Sequence, residues 1–362
     1  MSDPTDNDLT ANGGAGQPVI DSQRMFDSAA GLPEQVFDAA VAARGLEGLP
    51  ERHRIENVVV LGMGGSGMAG EVLAATAGPF LPVPIIVSKG YELPAFVGET
   101  SLVFAVSFSG NTEETVEAAS AAAVEGARMV VVTQGGELGR LASSWGTPVV
   151  GVPGDLIQPR SGLGALAIPA LVVLEEIGLF PGAQQWIDFA VEQLRRRRDM
   201  LVGDGLLGQA LAARIGRTLP IFYGGGLIGA TAAQRWKNQV NENAKVAAFW
   251  HTHPELCHNE VVGWGQHGDL TRQVFTVVNL RHDFEHPQVS RRFDVVNPLV
   301  EEVVSSVEEV RAEGEGHLAQ LLDLIMVGDF VSLHLAAREG LDPGPVPVLN
   351  AIKSALATGV GV

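Results

Sequence analysis

The sequence has a single cysteine and few basic residues, and each of these scarcities excludes a class of protein. With only Cys257 among 362 residues, no internal disulfide framework can form, which fits a reducing compartment. The 24 Lys and Arg are outnumbered by 42 Asp and Glu, and the net charge of −18 argues against a nucleic-acid-binding surface. A small anionic ligand is still compatible, because helix N-termini and a few cations can bind it locally.

Long apolar runs and a targeting segment are also missing. No stretch approaches the ~18 uninterrupted apolar residues of a membrane span, so we expect no membrane partner. The first residues, MSDPTDNDLTANGGAGQP, are acidic and lack the basic and apolar regions of a signal peptide. We therefore expect residues 1–20 to form a disordered acidic tail and the protein to be cytoplasmic.

Short Val/Ile runs that alternate with helical stretches indicate an α/β protein. The runs NVVVLGM, VPIIVS, SLVFAVS, RMVVVT and TPVVGVP have the pattern of buried strands, and the pattern restarts at TLPIFYGGG. Continuous apolar strands separated by helices favour mostly parallel sheets with helices on both faces. We predict two successive flavodoxin-like subdomains, residues 21–200 with flanking helices and residues 201–362 with a C-terminal helix. We also predict a long amphipathic helix over about 316–339, and a solvated helix end for RRRR at 195–198.

A glycine-rich turn, GMGGSG, follows the first predicted strand. Gly62, Gly64 and Gly67 satisfy the G-x-G-x-x-G spacing of dinucleotide-binding folds. Those folds also need an acidic residue about 20 positions on, at the end of the next strand, and VPIIVS ends without one. Ser66 adds a hydroxyl that a phosphate can use directly. The turn therefore favours a phosphate over a dinucleotide, and tight helix–strand packing without any ligand is the structural alternative.

The stretch SFSGNTEET, at the end of the third predicted strand, carries three hydroxyls in six residues. Asn111, with Glu114 three residues on, predicts a capping box for the following helix. Capping alone needs one polar side chain, whereas Ser107, Ser109 and Thr112 surround a glycine and form an oxygen-rich anion cradle.

These two loops resemble the phosphate-binding signature of the sugar isomerase (SIS) domain, whose members bind phosphorylated sugars. SFSGNTEET is similar to the signature itself, and GMGGSG to its companion first loop. The resemblance implies a substrate-phosphate site made by Gly64, Gly65, Ser66, Ser107, Ser109 and Thr112.

Four charged or titratable residues further along the chain fit the chemistry of sugar isomerisation. They are Arg160 in QPRSGL, Glu242 in NENAK, His258 in LCHNE and Lys353 in NAIKSAL. An aldose–ketose isomerase needs a base that carries a proton between C1 and C2, and a cation near the enediolate. It also needs a group that exchanges a proton near neutral pH to open the sugar ring, which suits histidine. Taken singly, each of the four also fits an ordinary surface or core residue.

Together with the two loops, these motifs resemble the bifunctional phosphoglucose/phosphomannose isomerase family, in the same order and from about residue 55 to 355. The resemblance implies that Glu242 is the base, that Arg160 stabilises a cis-enediolate and that Lys353 contacts a sugar oxygen. It implies that His258 opens the ring and comes from the other subunit of a homodimer. The implied reaction interconverts glucose 6-phosphate and/or mannose 6-phosphate with fructose 6-phosphate, with no cofactor and no metal.

Three alternatives stay open at the level of sequence. WHTHPELCHNE offers His251, His253, Cys257 and His258 as zinc ligands, although Pro254 interrupts the run. A non-catalytic SIS-type regulatory protein would bind the same phosphosugars, usually with an added DNA-binding module, and this acidic chain has no basic candidate for one. A SIS isomerase coupled to amide transfer would need an N-terminal domain that opens on a catalytic cysteine.

Overall fold

The computed structural model describes residues 19–202 and 206–358, which form two parallel β-sheets with helices around them. Residues 1–18 of the predicted acidic tail lie outside the described residues. The boundary predicted between residues 200 and 201 falls in the last turn of a helix, Ala183–Val202. The placing of that boundary stays a prediction.

The first sheet has five strands, all parallel to their neighbours. In chain order they are β1 (Asn57–Leu61), β2 (Ile85–Ser88), β3 (Ser101–Ser107), β4 (Arg128–Thr133) and β5 (Val149–Gly151). Their spatial order is β2-β1-β3-β4-β5, which is the flavodoxin-like doubly wound order. Ligands of such sheets bind beyond the carboxyl ends of the strands, where the strand order reverses, here next to β1 and β3.

The second sheet repeats this plan with four parallel strands. They are β6 (Leu219–Gly225), β7 (Phe249–His253), β8 (Phe275–Arg281) and β9 (Ser306–Arg311), in the spatial order β7-β6-β8-β9. The predicted fold class, two successive α/β units with mostly parallel sheets, is therefore confirmed.

Seven helices belong to the first half of the described chain and seven to the second. The first seven are α1 (Met25–Ala30), α2 (Leu32–Ala42), α3 (Gly64–Thr76), α4 (Glu113–Val124), α5 (Gly136–Trp145), α6 (Leu163–Glu176) and α7 (Ala183–Val202). The others are α8 (Leu206–Ile215), α9 (Gly226–Gln239), α10 (Glu260–Gly263), α11 (Gly268–Val274), α12 (Pro287–Glu301), α13 (Gly316–Arg338) and α14 (Pro347–Thr358).

The unbroken apolar strands are explained by burial on both faces of each sheet. In β1, Val58 and Val60 face the larger core, which also contains residues of α3 and α6. Val59 and Leu61 face a smaller core formed with α4 and α5. Because successive side chains of a strand point to opposite faces, a sheet covered on both sides needs apolar residues at every position.

The helices that follow the two glycine turns pack against each other. The helix α3 begins directly after β1, α9 begins directly after β6, and α3 contacts α9. Both helices also contact α13. The contacts between these helices place the glycine turn before α3 and the end of α9 in the same part of the molecule.

The helix α13 differs from its prediction, because it is buried on every side rather than amphipathic. It is the one helix in the described residues that is long and apolar enough to cross a membrane, and all of that apolar window lies inside the protein. Its polar residues Asp323 and Asp329 are buried and paired with Arg197 and Arg235, so they form no solvated face. A buried core helix passes the same length and composition test as a membrane span.

The RRRR run is also placed differently from its prediction. It lies inside α7, which continues to Val202. Arg197 is buried and donates from Nε and Nη2 to both carboxylate oxygens of Asp323, at 2.7 and 2.9 Å. Arg198 pairs with Glu34 on α2 at 2.9 Å. The run therefore ties α7 to α13 and α2, and only part of it is solvated.

Candidate active site

The first glycine turn leaves the N-terminus of α3 open. The residue before the helix, Met63, makes no side-chain capping bond, and Gly64 has φ +52°, a left-handed conformation that favours glycine. Ser66 is buried, and its Oγ accepts a hydrogen bond from the Phe108 backbone N at 3.1 Å. Ser66 therefore links this turn to the hydroxyl-rich loop, and since it accepts here, its own proton can be donated to an anion.

The hydroxyl-rich loop after β3 also leaves a helix N-terminus open. Ser107 Oγ donates to Thr112 Oγ1 at 3.1 Å, and Ser109 Oγ accepts from the Asn111 backbone N at 3.2 Å. Thr112 occupies the N-cap position of α4, and no side-chain capping bond is made there. The N–H groups of the first turn and the hydroxyls thus lie in one region, with the donor groups that anion binding requires.

The capping box predicted from Asn111 and Glu114 is wrong. Asn111 Oδ1 instead accepts from the backbone N of Glu137, at 3.0 Å, in the first turn of α5. Asn111 therefore caps a different helix, 26 residues away in sequence. As a result, the side chain that sequence reasoning assigned to the N-terminus of α4 does not occupy it.

Arg160 lies directly against the first glycine turn. A Cβ added at Gly65 would lie 2.9 Å from the Pro159 carbonyl oxygen and 3.1 Å from the Arg160 backbone N. A side chain at Gly65 would therefore require the backbone of the turn or the backbone before Arg160 to shift. This contact joins the predicted phosphate region to the predicted catalytic region.

The Arg160 side chain is held by a set of neutral acceptors. Nε donates to Asn243 Oδ1 at 2.8 Å, and Nη2 donates to the carbonyls of Pro343 and Gly344 at 2.8 and 2.6 Å. Nη1 donates to Gln158 Oε1 at 3.1 Å. Burial is the largest influence and lowers the pKa of the guanidinium; an arginine nevertheless keeps its charge in proteins. The result is a fixed, desolvated cation.

Glu242 is the charged partner of this cation. Its Oε2 lies 3.5 Å from Arg160 Nη1, and its side chain is 31% exposed, against 2% for Arg160. The distance exceeds the 2.7–2.9 Å of a strong charge-assisted hydrogen bond, so the two groups are paired loosely. A carboxylate that solvent can reach beside a buried cation is the arrangement expected for a base next to an oxyanion-stabilising group.

A π-helical turn places Glu242 there. The helix α9 continues into a π turn, Val240–Ala244, that carries Glu242 and the buried Asn243. Asn243 accepts from Arg160, and its amide donates to Ser332 Oγ on α13 at 2.9 Å. Widening of the last helical turn thus lets adjacent residues both contact Arg160, and such turns are frequent at functional sites.

A buried network behind Arg160 was missed by sequence reasoning. Arg235 donates to both oxygens of Asp329, at 3.1 and 2.9 Å, and to the Arg160 carbonyl at 2.6 Å. Gln239 also donates to Asp329, at 2.8 Å. The sequence feature that could have indicated this network is Asp329 in the middle of the apolar α13 segment, because a buried carboxylate must have a partner.

His258 and Lys353 lie apart from this cluster. His258 is exposed at the end of a 3₁₀ turn, Glu255–His258, and Lys353 is exposed on α14. Within the part of the chain that the structure describes, no hydrogen bond or ion pair joins either of them to Arg160 or Glu242. Within a single chain, Arg160 and Glu242 therefore lie together near the predicted phosphate loops, whereas His258 and Lys353 do not.

The histidine-rich stretch does not assemble a metal site in the described residues. No group of three or more His, Cys, Asp or Glu side chains there is placed to hold a metal ion. His253 Nδ1 lies 3.4 Å from Cys257 Sγ, and burial lowers the pKa of His253 to about 4. His251 Nδ1 accepts from the Thr252 backbone N at 2.7 Å. The contact between His253 and Cys257 spans the turn before His258.

Two family models match separate parts of the chain. Residues 53–145 match the SIS domain family model, and residues 207–356 match that of the bacterial phospho-glucose isomerase C-terminal SIS domain. A solved structure, the C-terminal domain of glucosamine-fructose-6-phosphate aminotransferase from Francisella tularensis, superposes with a TM-score of 0.66. It is 17% identical and covers 89% of this chain and 98% of its own.

Curated relatives cover nearly the whole chain. The bifunctional phosphoglucose/phosphomannose isomerase of Caldicellulosiruptor bescii is 34% identical over 92% of this chain and 99% of its own. The protein of the same name from Aquifex aeolicus is 32% identical over 83% of this chain and 90% of its own. The chain therefore belongs to the bifunctional phosphoglucose/phosphomannose isomerase family.

Proposed function

We propose that the protein is an aldose–ketose isomerase that interconverts glucose 6-phosphate and/or mannose 6-phosphate with fructose 6-phosphate, without a metal. The observation that carries the proposal is the pairing of a buried Arg160 with an accessible Glu242 carboxylate at 3.5 Å. The backbone of Arg160 lies against a glycine turn, and no side chain caps the helix that begins at this turn. A phosphate site and an acid–base group beside a cation are the parts that such a reaction requires.

The phosphate of the substrate would bind at the N-termini of α3 and α4. The backbone N–H groups at Gly64 and Gly65, with the hydroxyls of Ser66, Ser109 and Thr112, are the proposed donors. Backbone donors and helix dipoles bind an anion without a cationic side chain. Holding the phosphate there fixes the sugar chain relative to Glu242, and orientation of this kind contributes a large share of catalysis.

Proton transfer would take place at Glu242. Its carboxylate removes the proton from C2 of the open-chain aldose phosphate, and the electron pair moves to the carbonyl oxygen, which gives a cis-enediolate. The same carboxyl group then returns the proton to C1 while the hydroxyl proton of O2 passes to O1, so that C2 becomes the carbonyl carbon of the ketose. Arg160 Nη1, which is only loosely paired with Glu242, supplies the positive charge next to the enediolate oxygens.

We propose that His258 opens the sugar ring and is supplied by the second subunit of a homodimer. The exposed position of His258, away from Glu242 of its own chain, supports this assignment. Lys353 on α14 would contact a sugar oxygen. A cytoplasmic location belongs to the same proposal.

A coupled assay with fructose 6-phosphate and mannose 6-phosphate, with and without EDTA, tests the proposal. We expect turnover that is insensitive to EDTA, and a loss of about 100-fold or more in Glu242→Gln, as removal of a general base usually gives. Full activity in Glu242→Gln would contradict the mechanism. Binding of a sugar phosphate without turnover by the wild type would favour a regulatory protein, an alternative that the named isomerase relatives do not support.

A further inference from the structure

Lys245, three residues after Glu242, has a backbone conformation that costs free energy. It ends the π turn with φ +58° and ψ +27°, in the left-handed region. Among the described residues, only two other non-glycine residues have a positive φ, Arg24 and His267. Glycine or asparagine would end a helix in this conformation at lower cost. A side chain kept in a strained position next to a functional residue points to a role for that side chain.

The Lys245 ammonium group joins two separate segments of the chain. Nζ donates to the carbonyls of Glu242 and Asn243 at the end of the π turn, at 2.8 and 3.2 Å. It also donates to the carbonyls of Asp342 and Pro343, at 3.1 and 2.9 Å. Three protons are thus shared among four acceptors, and a cation at a helix C-terminus also complements the helix dipole.

The turn at 342–344, which Lys245 contacts, also holds the Arg160 side chain. The Pro343 carbonyl accepts from both Lys245 Nζ and Arg160 Nη2, and Arg160 Nη2 also donates to Gly344. The turn at 342–344 is therefore fixed by two cations, one next to Glu242 and the other its ionic partner. Loss of either contact would leave the Glu242–Arg160 separation less well determined.

We propose that Lys245 is a positioning residue, which fixes the Glu242–Arg160 geometry by clamping the end of the π turn to the turn at 342–344. This inference rests on the proposed function, in which Glu242 is the base. Lys245 touches no reacting atom in it. If Lys245 were only a helix cap, its replacement would change stability and leave the chemical step of the remaining folded protein intact.

Three variants test the clamp. Lys245→Gly removes the ammonium and also relieves the backbone strain, so we expect Tm to stay within about 3 °C of wild type. We expect kcat with fructose 6-phosphate to fall about 10- to 100-fold, because small displacements of reacting groups are costly. KM should change less than about 3-fold, because the phosphate loops are not altered. Lys245→Arg, which keeps the cation, should retain more of kcat than Lys245→Gly does. Lys237→Gln, which removes a charge on α9 outside the π turn, should match wild type.

A Lys245→Gly enzyme with wild-type kcat would overturn the inference. So would one whose fall in kcat is accounted for by a fall in Tm. Inactivity of the wild type would instead refute the proposed function. In that case hydrogen exchange tests the proposed clamp without any measurement of activity. The amides of residues 240–245, and those of Asp342, Gly344 and Val346, should exchange about 10-fold faster or more in Lys245→Gly than in wild type. Unchanged exchange in either segment contradicts the clamp.

Discussion

The close contact of the Gly65 backbone with the backbone of Pro159 and Arg160 allows a sharp test of how far catalysis depends on the position of Arg160. Gly65 lies in the first turn of α3, and its backbone does not have the positive φ that would demand glycine. Alanine is the better helix former, so Gly65→Ala has no intrinsic backbone cost. The only penalty is the contact of the new Cβ with the carbonyl of Pro159 and the backbone N of Arg160.

The size of the effect follows from the distances. The added Cβ would lie 2.9 Å from Pro159 O, whereas ordinary contact begins at 3.4 Å, so one of the backbones must move by about 0.5 Å. A misplacement of about 1 Å at a reacting group costs about 100-fold, so we expect kcat to fall about 10-fold. Overpacking of this kind should also lower the free energy of unfolding by about 1–3 kcal/mol.

Steady-state kinetics with fructose 6-phosphate and a urea unfolding curve measure the two effects. Gly139→Ala is the matched control, because its Cβ would meet only the Thr133 methyl group at 3.6 Å, within the helix α5. This variant should keep wild-type kcat and gain up to about 1 kcal/mol of stability. A Gly65→Ala enzyme with unchanged kcat would refute the view that the turn positions Arg160.

Three further predictions concern the cation, the subunit contact and a buried histidine. Arg160→Lys cannot reproduce the hydrogen bonds to Asn243 and the two carbonyls, so kcat should fall about 100-fold and stability by about 2 kcal/mol or more. Inactive Glu242→Gln and His258→Asn chains, dissociated and reassociated together, should recover about a quarter of wild-type activity, since about half of the dimers carry one intact site; no recovery contradicts a shared site. Burial lowers the pKa of His334 from 6.5 to about 4, so the unfolded chain binds the extra proton first and stability falls as pH drops from 6.5 to 4, by up to about 3 kcal/mol. His334→Phe should make that part of the pH dependence less steep in urea unfolding curves, and the remaining slope comes from other buried histidines such as His253; an unchanged slope contradicts the assignment.

Much of the fold could be predicted from local sequence patterns. The Val/Ile runs specify strands buried on both faces, because a strand with alternating burial would show polar residues at every second position. The two loops at the ends of β1 and β3 could be predicted to form an anion site, since their hydroxyls and glycines lie close together in sequence. Glu242 and Arg160 were chosen correctly as neighbours only with the help of a family resemblance, because they are 82 residues apart.

The errors share one physical cause, which is pairing between distant segments. Asn111 matched a local capping pattern, yet its side chain caps the helix of the next strand–helix unit. Asp323 and Asp329 gave α13 the appearance of a polar face, although both carboxylates are paired with arginines inside the protein. Side-chain pairing across the fold leaves no periodic trace in a single sequence, so only the packed structure shows it.

The sequence by itself determined the strand–turn–helix order, the open glycine turn and the hydroxyl-rich loop, because these depend on neighbouring residues. Tertiary structure decided which groups surround the reacting centre. It placed Arg160 against Gly65, widened the end of α9 so that Glu242 and Asn243 both contact Arg160, and joined Lys245 to the turn at 342–344. These relations depend on the close approach of segments far apart in the chain, which the packing of α3, α7 and α9 against α13 brings about.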